Sequence, residues 1–184
     1  TIVNSASWEA GNLAPYTFAT IFGERLADET RVRTEADSNI PGLGAVSVRV
    51  NDVEAMVFYV SPEQVNFLVP IMWKPRPVKV RLANRGLFGP EVILELREYA
   101  PALFQLDANL VVAQRWPEYA VVTPEAPARP GDIVILYATG LGSFETPIAD
   151  RVPLWAPLEI AARRELRVLL NSTPVEDGSI LYAG

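Results

Sequence analysis

This chain of 184 residues contains no cysteine and no histidine. Without thiols there is no disulfide framework and no thiolate zinc site, and the redox compartment stays open. Without imidazole there is no histidine-based triad, no imidazole metal ligand and no proton shuttle near neutral pH. Lysine is almost missing too, with Lys74 and Lys79 the only examples. Acidic residues number 22 against 16 basic ones, for a net charge of −6. No basic block interrupts that excess, so the footprint of a nucleic-acid binder is lacking. An acidic surface also opposes docking on anionic lipid. No apolar run reaches the roughly 18–20 residues of a membrane helix, so membrane insertion is not expected. The opening residues, Thr1-Ile-Val-Asn-Ser5, lack the basic start and apolar middle of a signal peptide, so an exported protein would carry this chain as mature sequence. Room for helices is short, because 16 prolines punctuate the chain. The best helical candidate, Leu158 to Glu165, is brief.

What is present is apolar residue in quantity, 49% of the chain, enough for packed cores. It is organised as an internal repeat. Leu13-Ala-Pro-Tyr-Thr-Phe-Ala-Thr-Ile-Phe-Gly-Glu-Arg-Leu26 aligns without a gap on Ala128-Arg-Pro-Gly-Asp-Ile-Val-Ile-Leu-Tyr-Ala-Thr-Gly-Leu141. Val46–Asn51 then matches Leu166–Asn171, and Val57–Ser61 matches Ile180–Gly184. The first copy continues through Pro62–Pro70 and two further apolar runs, which have no counterpart in the second. A repeat of this length implies two similar modules in tandem.

The period within each copy is two. Val46, Val48 and Val50 alternate with Ser47 and Arg49, and Val78, Val80 and Leu82 with Lys79 and Arg81. Alternation of this kind marks strands with one buried face. Asn51-Asp52, Asn84-Arg-Gly86, Gly89-Pro90 and Asp177-Gly178 supply turns. The expected fold is therefore all-β: two antiparallel sandwiches of immunoglobulin type, at 1–99 and 100–184. First-module strands are expected near 2–6, 17–22, 45–50, 55–60, 64–69, 77–83 and 91–98. In the second, a hairpin (102–106 with 110–114) precedes strands at 133–137, 166–170 and 180–182. Alternation assigns Phe18, Ile21, Val48, Val50, Phe58, Phe67, Val80 and Leu94 to one core, and Ile133, Ile135, Tyr137, Val168, Leu170 and Leu181 to the other.

Several strings bear a family likeness. Val3-Asn-Ser-Ala-Ser7, Leu13-Ala-Pro15, Ile21-Phe-Gly23, Phe58-Tyr-Val-Ser-Pro62, Gln64-Val-Asn66 and Val69-Pro70 occur in the first half. Pro101-Ala-Leu-Phe104, Val112-Ala-Gln114, Pro130-Gly131, Leu136-Tyr-Ala-Thr-Gly-Leu-Gly142 and Leu181-Tyr-Ala-Gly184 occur in the second. In this order they resemble the C-terminal module family of large secreted acidobacterial proteins, which is similar to the IPT/TIG type of immunoglobulin-like domain. The resemblance implies a pair of extracellular or cell-surface sandwiches without catalytic residues. In that family a Pro-Gly turn and a Gln-Val-Asn strand follow Tyr-Ala-Gly, so the second module is expected to lack its last strands here. An unpaired strand edge would then meet other domains of the parent protein or another chain.

Candidate chemistry is sparse. Without His or Cys, acid–base work would fall to carboxylate pairs, and Asp28-Glu29, Glu35/Asp37, Asp52/Glu54 and Glu176-Asp177 are the clusters. All lie in turn-like or polar segments, where solvated carboxylates are the ordinary finding. The loop from Asp28 to Asp37 has oxygens for calcium, but Arg31 and Arg33 would compete for its acids. The glycines of Gly140-Leu-Gly142 read as a bend after a strand, since no phosphate-loop lysine follows. Asn171-Ser-Thr173 has glycosylation spacing. Trp8, Trp73, Trp116 and Trp155 neighbour turns or prolines. They suggest either a glycan-binding row of aromatics or caps on sandwich ends and seams. The reading is a non-enzymatic structural or adhesion unit without a cofactor, with a carbohydrate-binding module as the alternative.

Overall fold

A computed structural model describes residues 1–37, 40–71, 77–144 and 158–184. The fold is all-β and its sheets are antiparallel. In the first half the strands are β1 (Ile2–Asn4), β2 (Phe18–Phe22), β3 (Arg31–Val32), β4 (Val46–Val50), β5 (Val53–Val60), β6 (Gln64–Leu68), β7 (Pro77–Asn84), β8 (Leu87–Phe88) and β9 (Val92–Glu95). They form one sheet in the order β1-β2-β6-β5-β4-β7-β8, with β3 against β5 and β9 against β7. The sheet curls on itself: Ile2 and Ile21 from one end share a core with Val78, Val80 and Leu96 from the other.

Alternation explains which side chains fill that core. In β4, Val46, Val48 and Val50 are buried while Arg49 faces solvent. In β6, Val65 and Phe67 point inward between half-buried neighbours. Residues between strands seal the ends, Leu13 and Leu43 being fully buried. Of the eight residues assigned to this core, Ile21, Val48, Val50, Phe67 and Val80 are buried, and Phe18, Phe58 and Leu94 are half-buried. A bulge in β5 between Val57 and Tyr59 breaks the alternation beside Phe58.

In the second half the strands are β10 (Ala102–Leu103), β11 (Ala113–Trp116), β12 (Ala120–Val121), β13 (Ile133–Leu136), β14 (Ala138–Thr139), β15 (Leu169–Leu170) and β16 (Thr173–Pro174). They make three small sheets, β10-β14, β12-β11-β13 and β15-β16. Two of their strand pairings resemble pairings in the first half. Ile2, Val3 and Asn4 of β1 face Ile21, Thr20 and Ala19 of β2. At the aligned positions Ala113, Gln114 and Arg115 of β11 face Leu136, Ile135 and Val134 of β13. The β4–β5 hairpin turns through Asn51 at φ 53°, and the β15–β16 hairpin through Asn171 at φ 50°. Asparagine is one of the few residues that enters this left-handed region readily.

The correspondence ends where a second layer is needed. On its other edge β2 pairs with β6, whereas β13 has no second neighbour among the described strands. Ile133, Tyr137, Leu170 and Leu181, assigned to a second core, are exposed, and only Ile135 and Val168 are half-buried. Alternation selects a face, but a face is buried only when another layer stacks on it. Past Tyr99 the buried apolar residues among the described residues are Ala100, Ala113, Ile160 and Ala183, too few and too small for a core. The brief helical candidate at 158–165 is not a helix; Ile160 makes a β-bridge to Phe144, and turns follow it. Residues 180–182 are not a strand either.

Candidate functional site

Two of the clustered carboxylates, Asp37 and Asp28, are held by close neighbours. Asp37 is buried and accepts hydrogen bonds from the Thr34 N–H and hydroxyl, both at 3.0 Å, and from Arg31 at 2.6 Å. The Thr34 backbone bond, then its hydroxyl and the Arg31 and Arg33 charges, hold the Asp37 carboxyl below the usual range, against a smaller opposing effect of burial. Asp28 is lowered by its hydrogen bond to Arg85. A general acid needs the opposite displacement. Of the loop acids offered for calcium, Asp28 and Asp37 are engaged by arginines, and no group of three potential ligands occurs among the described residues.

Arg33 explains why that loop has a fixed shape. Its Nη1 donates to the carbonyl of Ile40 at 2.9 Å, and its Nη2 to those of Pro41 and Gly42, each at 2.7 Å. Further bonds reach the carbonyls of Val57 and Asp37. The planar fork of five N–H donors suits this task in a way that an ammonium does not.

The tryptophans do not form a row in the described residues. Trp8, 53% exposed, follows β1 and stacks on Phe22 with ring centroids 5.8 Å apart. Trp116, 49% exposed, ends β11 and meets Tyr119 edge-on at 5.2 Å. Trp8 lies in the loop after β1, whereas Trp116 belongs to the sheet of β11, β12 and β13. Trp73 and Trp155 lie outside the described residues.

Contact between the halves falls to other residues. Phe18 packs edge-on against Phe58 at 5.1 Å on one side and Phe104 at 6.2 Å on the other. Tyr16 meets Phe144 at 4.9 Å. The Thr139 hydroxyl accepts the Phe18 N–H and donates to the Tyr16 carbonyl. Gly140, with φ 76°, lets the chain pass the Ala100 carbonyl, which a Cβ would approach to 2.1 Å. The glycine pair of Gly140-Leu-Gly142 is thus a bend, as expected, with Gly142 also at positive φ and tight against the Tyr99 ring. Sequence reasoning did not single out this seam, although the run Tyr16-Thr-Phe18 beside a turn was its one visible sign.

Apolar side chains are left uncovered around β13. Ile133, Val134, Leu136 and Tyr137 of the β13 region are exposed together with Leu103, Trp116 and Val121. Because Val134 and Leu136 alternate with Ile133, both faces of this strand carry exposed apolar groups. Natural soluble surfaces seldom leave so much contiguous apolar strand bare unless it meets something. No helix among the described residues is long and apolar enough to cross a membrane. No protein family and no curated protein sequence matches the chain.

Proposed function

We propose that the chain is a non-enzymatic interaction and spacer unit of a larger exported protein, built from two tandem sandwich modules of immunoglobulin type. Residues 1–99 form the covered module, and residues 100–184 form the one that docks, through the edge of β13 and its apolar faces. The occupant is another domain of the parent protein or another chain. One observation carries this reading: the first half holds a continuous core of large apolar side chains, whereas Ile160 is the one large apolar side chain buried among the described residues of the second. The matched registers of β1–β2 and β11–β13, and the shared asparagine turns, support the tandem arrangement. Export and a cell-surface place rest on the family resemblance alone.

Sedimentation velocity over a range of concentrations, with a dye that fluoresces on apolar surface, tests the proposal. The chain is expected to bind the dye and to associate as concentration rises. Replacing Val134 and Leu136 by lysine should suppress both while leaving the first half folded. A monomer that ignores the dye at every concentration would overturn it.

A further inference from the structure

Arg49 of β4 and Arg81 of β7 are partners in register, so two positive side chains stand directly opposite each other on the outer face of the large sheet. Such a like-charge pair is unfavourable by itself. Lys79, two residues along β7, adds a third cation to the same face. The acids nearby leave the central pair incompletely matched. Glu54 reaches Arg49 only at 3.9 Å, and Glu91 is drawn to Lys79 at 2.9 Å. Arg81 has no carboxylate partner among the described residues. Its guanidinium instead lies 4.5 Å from the centre of the Phe88 ring, and its Nε donates to the Gly89 carbonyl at 3.3 Å. These side chains, with Asn51, Asp52 and Pro77, line an open groove of about 630 Å³.

We propose that this groove binds an acidic sugar, a uronate-bearing glycan whose carboxylate lies between Arg49 and Arg81. Two planar guanidinium forks match a carboxylate in geometry and charge. Asp52 and Glu91 beside them present carboxylate oxygens that sugar hydroxyls satisfy as donors. A phosphate cluster or a run of acidic side chains would set further acceptors against those acids. Phe88, 54% exposed, adds an aromatic edge of the kind that packs on a sugar ring. With a net charge of −6 the molecule as a whole repels anions, so a local cationic groove selects where one binds. The groove belongs to a different sheet from β13 and stands independently of the docking role of the second half.

Titration calorimetry of the full chain with short oligogalacturonides is the test, beside neutral galactan oligomers of the same length and sodium sulfate. The uronate oligomers should bind, and bind less as salt rises. Arg49→Gln and Arg81→Gln should each weaken binding about tenfold or more, as loss of a charge-assisted hydrogen bond implies. Phe88→Ala should weaken it too, while Trp116→Ala leaves it unchanged. Neither arginine variant should lower the urea midpoint, because each removes a repulsion from an exposed site. Absence of binding, equal binding of the neutral oligomers, equal competition by sulfate, indifference to both arginine variants, or loss on Trp116→Ala would each overturn the proposal.

Discussion

The hydroxyl of Thr139 accepts the backbone N–H of Phe18 at 2.8 Å, joining residues 121 positions apart in the chain. Thr139 is buried, and Phe18 opens β2, so the bond ties the C-terminal half to the strand next to the β1 edge of the first sheet. Thr139→Val keeps the shape and removes the acceptor, leaving a partly buried N–H unpaired. Urea denaturation should show a loss of about 1–3 kcal/mol, and Thr139→Ser should recover most of it. A valine variant as stable as the parent would show that this bond does not hold the seam.

Gly140 and Gly86 separate backbone strain from crowding. Both have positive φ, 76° and 77°, yet a Cβ on Gly86 meets nothing within 4 Å while one on Gly140 meets the Ala100 carbonyl at 2.1 Å. Gly86→Ala should cost about 1–2 kcal/mol for the left-handed conformation alone. Gly140→Ala should cost clearly more and loosen the contact between halves, which thermal melts of the two variants will compare.

Arg33 is the organiser of the loop between β3 and β4. Arg33→Met would leave a set of carbonyls from Asp37 to Gly42 without their donor, and should destabilise by about 2–4 kcal/mol. Arg33→Lys is expected to fail to rescue, because one ammonium cannot span the same fan of acceptors. Hydrogen exchange across 31–37 should rise in both variants.

Asp37 sets a pH dependence whose sign follows from its lowered pKa. The folded state holds the carboxylate through Thr34, Arg31 and Arg33, whereas the unfolded chain titrates near the ordinary value of 3.8. Its contribution to stability is therefore complete above that value and is lost as pH falls through the lower folded pKa. The urea midpoint of the parent should fall between pH 6 and pH 3, and that of Asp37→Asn should fall less steeply. Equal slopes would remove Asp37 from the account.

Much of the first half was legible because its determinants are local. Alternation in Val46–Val50 and Gln64–Leu68 names the inward face without knowledge of any partner, and the turns at Asn51 and Gly86 carry residues suited to positive φ. The short strand β3 escaped notice, since Arg31 and Val32 are both exposed and show no alternation; its pairing to β5 comes with the arginine-braced loop. The cationic groove was equally invisible, because Arg49 and Arg81 are 32 positions apart and only strand register sets them opposite.

The sequence by itself determined the β class, the inward-facing residues of β4, of β6 and of the start of β7, and the absence of thiol and imidazole chemistry. These follow from a side-chain period of two and from composition. Tertiary structure alone decided that Phe18 sits between Phe58 and Phe104, and that the apolar face of β13 stays bare while that of β4 is covered. Alternation tells a strand which way its side chains point, but burial depends on a second layer brought from a distant part of the chain, and no local pattern records whether that layer arrives.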